Sequence, residues 1–285
     1  MKIDVLTIFP DYFEPLKLSL LGKAQVDGLV QISIHNLRDY ANDIHRSVDD
    51  TPYGGGPGMV MKVEVLQKAI DAVLNSSGFS GYNIEQIEMK ERLSEPIFPS
   101  AEIPVEESIS PSSPNTIAKN SLTEYCLEKK ALKIILTSAA GELFNQSMAA
   151  AFRAYDQLII VCGRFEGFDQ RIVDYYERKG VSIAELSIGN FVTFGGEAPA
   201  LSIIESVVRL IPGVLGNHES LRNESFHSVV DGEDSWVEHP QYTKPADFEG
   251  LQVPAVLLNG NHAEIQKYRT EQARIKTQKN RPDLI

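Results

Sequence analysis

The chain has 285 residues and a formal net charge of −12 at pH 7, which is long enough for one large domain or two ordinary ones. Its apolar share of 42% and charged share of 23% are typical of a globular protein with a buried core, and exclude a collagen-like, coiled-coil or wholly disordered chain. The acidic balance disfavours nucleic-acid binding over the whole surface, but it leaves room for a local basic patch.

The amino terminus and the cysteines indicate a cytoplasmic location. Lys2, Asp4 and Asp11 interrupt any apolar run at the start of the chain, so no secretory signal is predicted. No segment approaches the roughly 20 apolar residues that span a bilayer, so we expect no membrane contact. Cys126 and Cys162 form no Cys-x-x-Cys motif, which favours reduced thiols and makes a structural disulfide or a zinc site improbable.

The first 74 residues alternate between strand and helix patterns. Residues 2–9 and 29–34 are typical of strands, and the second segment alternates at period two. Residues 63–74 place five apolar side chains on one helical face: Leu66, Ala69, Ile70, Val73 and Leu74. Between them, residues 51–59 (TPYGGGPGM) are too rich in glycine for a regular element.

Residues 75–130 differ in composition from the segments on either side. They contain five prolines and ten serines, with nine acidic and five basic side chains. Such a composition does not bury enough apolar surface to offset the entropy of ordering. We predict a disordered insertion within the first domain, and a small helical subdomain around residues 84–93 is the alternative.

From residue 132 onward strands again alternate with helices. Strands are predicted at 132–137 and 158–162, and helices at 145–154 and 168–179. Gly180 suits the position just after a helix. A further helix begins near Pro199 and ends before Pro212. The alternation predicts an α/β fold with a mainly parallel sheet.

The carboxyl-terminal third divides into a linker and a small domain. We predict a first domain at 1–215, a flexible linker at 216–231 and a second domain at 232–285 that ends in a helix at about 262–280. This helix region is basic, with Lys267, Arg269, Arg274, Lys276, Lys279 and Arg281 against Glu264 and Glu271. A solvated surface and a contact with a phosphate backbone explain that charge equally well.

Three glycine-bearing loops follow predicted strands: 138–141, 163–167, and 187–189 with 195–196. Ligands of parallel α/β sheets bind outside the carboxyl ends of the strands, so the loops favour one shared site, although each glycine could simply make a turn. Polar side chains follow the strands or begin the next helix: Arg164, Glu166, Asp169, Arg171 and Glu197. No dinucleotide fingerprint, phosphate-binding lysine loop, nucleophile elbow or metal-binding pair of carboxylates is present.

Five blocks of the sequence together resemble one known family. They are residues 48–59, 159–171, 186–200, 207–216 and 253–265, in that order along the chain. The blocks are similar to those of the bacterial tRNA (guanine-N1)-methyltransferases, which belong to the knotted SPOUT class. The resemblance covers nearly the whole chain apart from about 75–130.

The resemblance implies a fold, a reaction and partners. The family is a homodimer with a deep trefoil knot in its first domain and a small, mostly helical tRNA-binding domain at its carboxyl terminus. S-adenosylmethionine binds within the knot, the neighbouring subunit helps to complete the site, and Mg²⁺ is expected for turnover. The enzyme methylates N1 of guanosine 37 in tRNA, the nucleotide 3′ of the anticodon, and so maintains the reading frame.

The resemblance also assigns residues by motif. Its catalytic arginine falls on Arg209 and its general base on Glu224. Its cofactor pocket falls on Leu136, Thr137, Ser138, Gly163, Glu166, Ile188, Gly189, Phe191, Thr193, Gly195, Gly196 and Pro199. No protein metal site is implied. Arg209 also suits a helix end, where a cation complements the dipole.

The chain departs from the family pattern in several places. Glu224 stands where the family usually has aspartate, Ala139 where it often has proline, and Asn190 where it often has aspartate; the chain also ends sooner than many members. The extra methylene of Glu224 moves the carboxylate by about 1 Å, a shift that can cost on the order of 100-fold in rate. A flexible linker can absorb this shift, so we expect an active enzyme.

Three alternatives stay open at this point. The chain could be a SPOUT methyltransferase for another RNA position, or a catalytically impaired or non-catalytic RNA-binding homologue. The weaker third alternative treats the glycine-rich loop at 51–59 as a phosphate cradle, although it lacks the Lys-Ser/Thr pair that such a loop needs.

Overall fold

The computed structural model describes residues 1–78, 131–216, 224–226 and 236–285. The chain divides into two compact units, Met1–Val214 and Leu215–Ile285. Most of the predicted insertion (75–130) and of the predicted linker (216–231) lies outside the described residues, and so does Cys126. The predicted disorder, the domain boundaries and the trefoil knot therefore stay predictions.

A five-stranded parallel sheet forms the centre of the first unit. The strands of this unit are β1 (Lys2–Thr7), β2 (Gln31–Asn36), β3 (Asp49–Asp50), β4 (Val60–Met61), β5 (Leu132–Leu143), β6 (Gln157–Cys162) and β7 (Ile183–Ser187). The order in the sheet is β2-β1-β6-β5-β7, with every neighbouring pair parallel. The predicted α/β class with a parallel sheet is confirmed. Strands β3 and β4 form a separate antiparallel pair.

Helices cover both faces of this sheet. They are α1 (Ser19–Val26), α2 (Val63–Ser76), α3 (Gln146–Phe152), α4 (Arg171–Arg178) and α5 (Glu197–Val208), with 3₁₀ turns at Pro10–Lys17 and Leu37–Tyr40. The apolar face predicted for α2 is fully buried. It packs with α4 against alternate residues of the sheet, including Leu6, Ile134 and Ile159. The opposite sheet face is covered by α5.

Local sequence explains where two of these helices begin or end. The Asn145 side chain accepts a hydrogen bond from the Met148 amide, which caps α3. Gly180 has φ +71°, and the amides of Gly180 and Val181 donate to the carbonyls of Glu177 and Tyr176. This Schellman motif ends α4 where the sequence predicted. The helix begins at Arg171 and not at 168, because residues 163–170 form a loop.

Strand β5 differs from its prediction. The sequence predicted a strand at 132–137 followed by a turn, whereas β5 continues to Leu143. Thr137 and Glu142 both lie opposite Leu186 of β7, so the register shifts between them and residues 138–141 form an excursion between the two pairings. The predicted turn exists as this excursion within one strand.

The described part of the second unit contains few buried side chains. Its elements are β8 (Asp247–Phe248), β9 (Leu251–Gln252), a 3₁₀ turn at Ala255–Leu257, α6 (His262–Asn280) and a 3₁₀ turn at Pro282–Leu284. Helix α6 has the predicted bounds, and Asn261 caps its start because its side chain accepts from the Glu264 amide. Within the described part of this unit, Thr277 alone is buried.

Candidate functional site

A cavity of about 300 Å³ lies at the carboxyl edge of the central sheet. Three chain segments surround it: the excursion of β5, the loop after β6, and the loop between β7 and α5. Its lining is Thr137, Ser138, Ala139, Ala140, Gly163, Arg164, Phe165, Glu166, Gly167, Phe168, Leu186, Ser187, Ile188, Phe191, Val192, Thr193, Phe194, Gly195, Gly196 and Pro199. The structure thus brings the three glycine-bearing loops around one site, where parallel α/β folds bind ligands.

Thr137 joins the ends of β5 and β6 beneath the cavity. Its hydroxyl donates to the Val161 carbonyl at 3.2 Å and accepts from the Gly163 amide at 3.0 Å. The Gly163 carbonyl in turn accepts from the Gly196 amide at 2.7 Å. A Cβ on Gly196 would overlap the Thr137 hydroxyl, so only glycine lets the start of α5 approach the two strand ends this closely.

Arg164 and Glu197 form a buried ion pair beside this contact. Glu197, at the start of α5, has a side chain only 1% exposed, and Arg164 has one 17% exposed. The Arg164 guanidinium binds both carboxylate oxygens, with Nε at 3.1 and 2.9 Å and Nη2 at 2.7 Å. Thr7, at the end of β1, donates its hydroxyl to Glu197 Oε1 at 2.9 Å. Hydrogen bonds from both partners satisfy a carboxylate that burial would otherwise destabilise.

The glycine-rich loop at 51–59 packs against the loop after β6. The Glu166 amide donates to the Met59 carbonyl at 2.9 Å, and the Met61 amide donates to the Gly167 carbonyl at 3.0 Å. Gly58, at φ +89°, lies against the Glu166 side chain so closely that a Cβ would overlap it. The loop therefore helps to position the cavity wall that carries Glu166.

The electrostatic character of the cavity follows from these pairs. Arg164 is neutralised by Glu197, whereas no ion pair or hydrogen bond to the Glu166 carboxylate is found among the residues that the structure describes. The wall thus presents one uncompensated negative charge together with peptide groups and the side chains of Ile188 and Phe191. Such a site suits a ligand with a positive centre and an apolar ring.

Cys162 lies at the end of β6 under the same site. It is fully buried, and this burial, followed by the negative charge of Glu197, raises the pKa of its thiol well above the ordinary value of 9.0. The side chain is therefore a neutral thiol at physiological pH, which agrees with the expectation of a reduced, buried cysteine.

The structure places most of the predicted pocket residues around the cavity. Those on its wall are Thr137, Ser138, Gly163, Glu166, Ile188, Phe191, Thr193, Gly195, Gly196 and Pro199. Leu136 is fully buried in β5 and does not line the cavity. Gly189 is also absent from the wall, and its backbone instead lies against the Phe191 ring.

The two predicted catalytic residues do not line the cavity. Arg209 is the residue that ends α5, and Glu224 lies in the second unit. Both make contacts within the chain. Gly196 begins α5 at the cavity, so Arg209 is separated from it by the length of this helix.

Several residues that line the cavity were not predicted to belong to the pocket. Ala139, Ala140, Phe165, Gly167, Phe168, Leu186, Ser187, Val192 and Phe194 line the cavity beside predicted neighbours in the same loops. Arg164 and Glu197 stood out as polar residues near strand ends, but no pattern along the chain indicated that they pair. Their contact depends on the distance between β6 and α5 in the fold.

Metal-binding clusters and membrane-spanning helices are both absent from the described ranges. Within residues 1–78, 131–216, 224–226 and 236–285, no group of three or more His, Cys, Asp or Glu side chains is placed to hold a metal ion. In the same ranges, no helix combines the length and the hydropathy needed to cross a membrane.

The fold and the site together define a class of α/β protein with a ligand cavity built from backbone-rich loops at the carboxyl edge of a parallel sheet. A family model described as tRNA (Guanine-1)-methyltransferase TrmD matches residues 1–88 and 114–285. The chain belongs to this family. The unmatched residues, 89–113, fall within the predicted insertion at 75–130.

Curated relatives are similar over the full length of the chain. Three of these relatives are named tRNA (guanine-N(1)-)-methyltransferase. The protein from Bifidobacterium longum (strain DJO10A) is 41% identical over all of this chain and 88% of its own length. The proteins from Corynebacterium aurimucosum and Dictyoglomus turgidum are 43% and 40% identical, over all of this chain and 93% and 90% of their own lengths.

Proposed function

We propose that the chain uses S-adenosylmethionine to methylate N1 of guanosine 37 in tRNA. Family membership over nearly the whole chain supports a tRNA (guanine-N1)-methyltransferase, and the relatives carry that name. The single observation that carries the proposal is the cavity itself: the motif residues of three separate loops line one space at the edge where such folds bind ligands.

The residues of the cavity fit this methyl donor. S-adenosylmethionine supplies a methyl group on a positively charged sulfur, together with an adenine ring and an amino-acid group. The uncompensated Glu166 carboxylate suits the positive charge, and the exposed peptide groups of the loops suit hydrogen bonding to the polar edges. Thr137, Gly163 and Gly196 hold the three segments in place, so the site is organised before ligand binds.

The chain must also deprotonate its target nucleotide. N1 of guanine carries a proton at neutral pH, so its lone pair becomes available only when a base removes that proton. We assign this role to Glu224, which would accept the proton as N1 forms its new bond to carbon. Arg209 would stabilise the negative charge that develops on O6. The target base has to leave its stack, at a cost of a few kcal/mol.

The position of Arg209 favours a homodimer. Helix α5 has 12 residues between its caps, Gly196 at the cavity and Arg209 at the other end, so the helix separates them by about 20 Å at 1.5 Å per residue. One copy of the chain therefore does not bring this arginine to its own cavity. We propose that a second copy supplies it, that the knot holds the cofactor loops, and that the enzyme acts with Mg²⁺ on cytoplasmic tRNA.

The first test compares Glu224→Ala with Glu224→Asp on unmodified tRNA that has guanosine at position 37. Loss of the base should lower single-turnover methyl transfer by about 10²- to 10⁴-fold, while calorimetry shows unchanged affinity for S-adenosylmethionine. Glu224→Asp should retain most of the activity. Wild-type turnover by Glu224→Ala would refute the assignment of the base, and an inactive wild type that still binds the cofactor would favour a non-catalytic homologue.

A complementation experiment tests the shared site. Arg209→Ala should be inactive because it lacks the cation. Gly196→Val should be inactive because its side chain overlaps Thr137 and displaces the start of α5 from the cavity. Mixed subunits should regain part of the wild-type activity, since one of the two sites then contains both intact parts. Failure to regain activity, with mixed dimers shown by mass spectrometry, would contradict the supply of Arg209 by a second copy.

A further inference from the structure

We propose that Arg164 is a positioning residue that fixes the loop between β7 and α5 (residues 188–196) for cofactor binding. The proposal rests on the function proposed above, because it assigns a role toward the same cavity. It starts from the observation that the Arg164 guanidinium connects three parts of the fold: Glu197 of α5, Phe194 of the loop and Phe9 after β1.

The guanidinium is held rigidly on its inner side. Glu197 accepts from it through both carboxylate oxygens, and this carboxylate is fixed by the Thr7 hydroxyl. The same Thr7 oxygen accepts from the Phe9 amide at 3.0 Å. The Phe9 ring then lies 4.5 Å from the guanidinium carbon, within the range of a cation–π contact. The planar group is therefore fixed in both position and orientation.

The outer side of the guanidinium holds the loop. Its Nη1 donates to the Phe194 carbonyl at 3.1 Å. The Gly195 backbone packs directly on the Arg164 side chain, so that a Cβ at this position would overlap Nε. The arginine thus holds the backbone of the loop two residues before α5 begins.

Within one copy of the chain, the loop has little other side-chain packing to order it. The side chains of Phe194 and Val192 are 100% and 85% exposed, and that of Phe191 is 57% exposed. Gly196 at the end of the loop is held by the Gly163 carbonyl. Before it, apart from the contact with Arg164, the hydrogen bonds are short in range, such as Thr193 Oγ1 to the Gly195 carbonyl at 2.8 Å. A loop that buries so little apolar surface depends on its polar anchors for a single conformation. Several of its residues line the cavity, so an unanchored loop would bind the cofactor more weakly.

Lysine cannot replace arginine in this arrangement. The contacts use Nε, Nη1 and Nη2 at the same time, in the fixed fork of a planar group. A lysine ammonium keeps the charge that Glu197 requires but cannot bind two carboxylate oxygens and a carbonyl in one plane. Arg164→Lys therefore removes the anchor with little loss of charge balance.

A matched control is available at Arg171, the first residue of α4. Arg171 binds Asp169 through both oxygens, with Nε at 2.9 Å and Nη2 at 2.6 Å, but its side chain is 64% exposed. This pair has the same chemistry without a contact to residues 188–196. A second matched pair, Thr7→Val and Thr7→Ser, removes or keeps the hydroxyl that fixes Glu197.

The experiment measures calorimetric affinity for S-adenosylmethionine, hydrogen exchange of the 188–196 peptide and melting temperature. Arg164→Lys should weaken binding by about tenfold and increase exchange in that peptide, the scale expected for a lost charge-assisted hydrogen bond. Arg171→Lys should change neither. Thr7→Val should also weaken binding and increase exchange in that peptide. Thr7→Ser keeps the hydroxyl and should show wild-type affinity and exchange.

Two results would overturn the proposal. Equal affinity and equal loop exchange in Arg164→Lys and Arg171→Lys would show that Arg164 does not anchor the loop. A fall in melting temperature in Arg164→Lys without a change in exchange or affinity would show a purely structural ion pair. By contrast, wild-type chain that does not bind S-adenosylmethionine would refute the proposed function, and increased loop exchange in Arg164→Lys would still report the anchor.

Discussion

Two buried carboxylates on opposite faces of one strand have different partners. Among the described residues, Asp4 and Glu197 are the acidic side chains that are almost completely buried, each at 1% exposure. Asp4 belongs to β1 and lies on the sheet face covered by α2. Glu197 belongs to α5 and reaches β1 from the other face, where it binds Thr7.

The partners of Asp4 are spread over several elements of the sheet. Its Oδ2 accepts from the Gln157 amide at 2.6 Å and lies 3.2 Å from the Lys2 ammonium. His35 Nε2 is 2.8 Å from the other oxygen. Lys2 also donates to Ser77 at the end of α2. These contacts connect β1, β2, β6 and α2 at a position away from the cavity.

Glu197 differs from Asp4 because its charged partner, Arg164, also lines the ligand cavity. Because Arg164 lines the cavity and binds Glu197 bidentately, any change of the carboxylate also alters the site. A buried acid is therefore not by itself a functional signal. Its partners decide whether the charge serves the packing of strands or the arrangement of a binding loop.

The largest effect is expected from Glu197→Ala. This change leaves Arg164 without its carboxylate in a partly buried place, and loss of one partner from a buried pair typically costs about 3–5 kcal/mol. Arg164 is 17% exposed and can move toward water, so the lower end of that range is expected in urea denaturation. Affinity for S-adenosylmethionine should fall at the same time. If folded Glu197→Ala binds S-adenosylmethionine as tightly as the wild type, Glu197 does not arrange the binding loop and does not differ from Asp4 in this respect.

A smaller effect is expected from Asp4→Asn. The amide keeps the shape of the side chain but weakens the contacts with Lys2 and forces one donor against another, which we expect to cost about 1–3 kcal/mol. Calorimetry should show wild-type affinity for S-adenosylmethionine, since Asp4 does not line the cavity. A weakened affinity at unchanged stability would mean that the two buried acids are coupled through β1.

The sequence was sufficient for the parts of the fold that depend on local pattern. The alternation of strands and helices predicted the parallel sheet, and the spacing of Leu66, Ile70 and Val73 predicted the buried face of α2. Gly180 and Pro199 marked a helix end and a helix start. Each of these follows from backbone geometry within a few residues.

The sequence was not sufficient for contacts that depend on the fold as a whole. Nothing along the chain shows that Thr7, Arg164 and Glu197 meet, because they are separated by 157 and 33 residues and join only where β1 and β6 end and α5 begins. The continuation of β5 after its excursion was also not predicted, since the residues that follow LKIILT carry no signal that the strand continues to Leu143. The identity of the ligand, S-adenosylmethionine, was inferred from the resemblance of whole sequence blocks and not from any single residue.

The smallest predicted effect uses Cys162 as a reporter beside Glu197. Burial raises the pKa of this thiol, so the folded chain keeps its proton at a pH where the unfolded chain loses it. Its contribution to stability is therefore complete below pH 9.0 and is lost as the pH rises toward the folded pKa, at about 1.4 kcal/mol per pH unit. Urea denaturation should show this slope in the wild type, relative to Cys162→Ala.

Glu197→Gln then separates the two causes of the raised pKa at Cys162. Burial is the larger cause and the carboxylate charge the smaller one, so the slope should persist in this variant with only a minor change. If the slope instead disappears, the charge of Glu197 dominates, and the carboxylate influences its surroundings well beyond its pair with Arg164. Persistence would show that burial alone is sufficient to raise the pKa of the Cys162 thiol, with the carboxylate charge as a minor contribution.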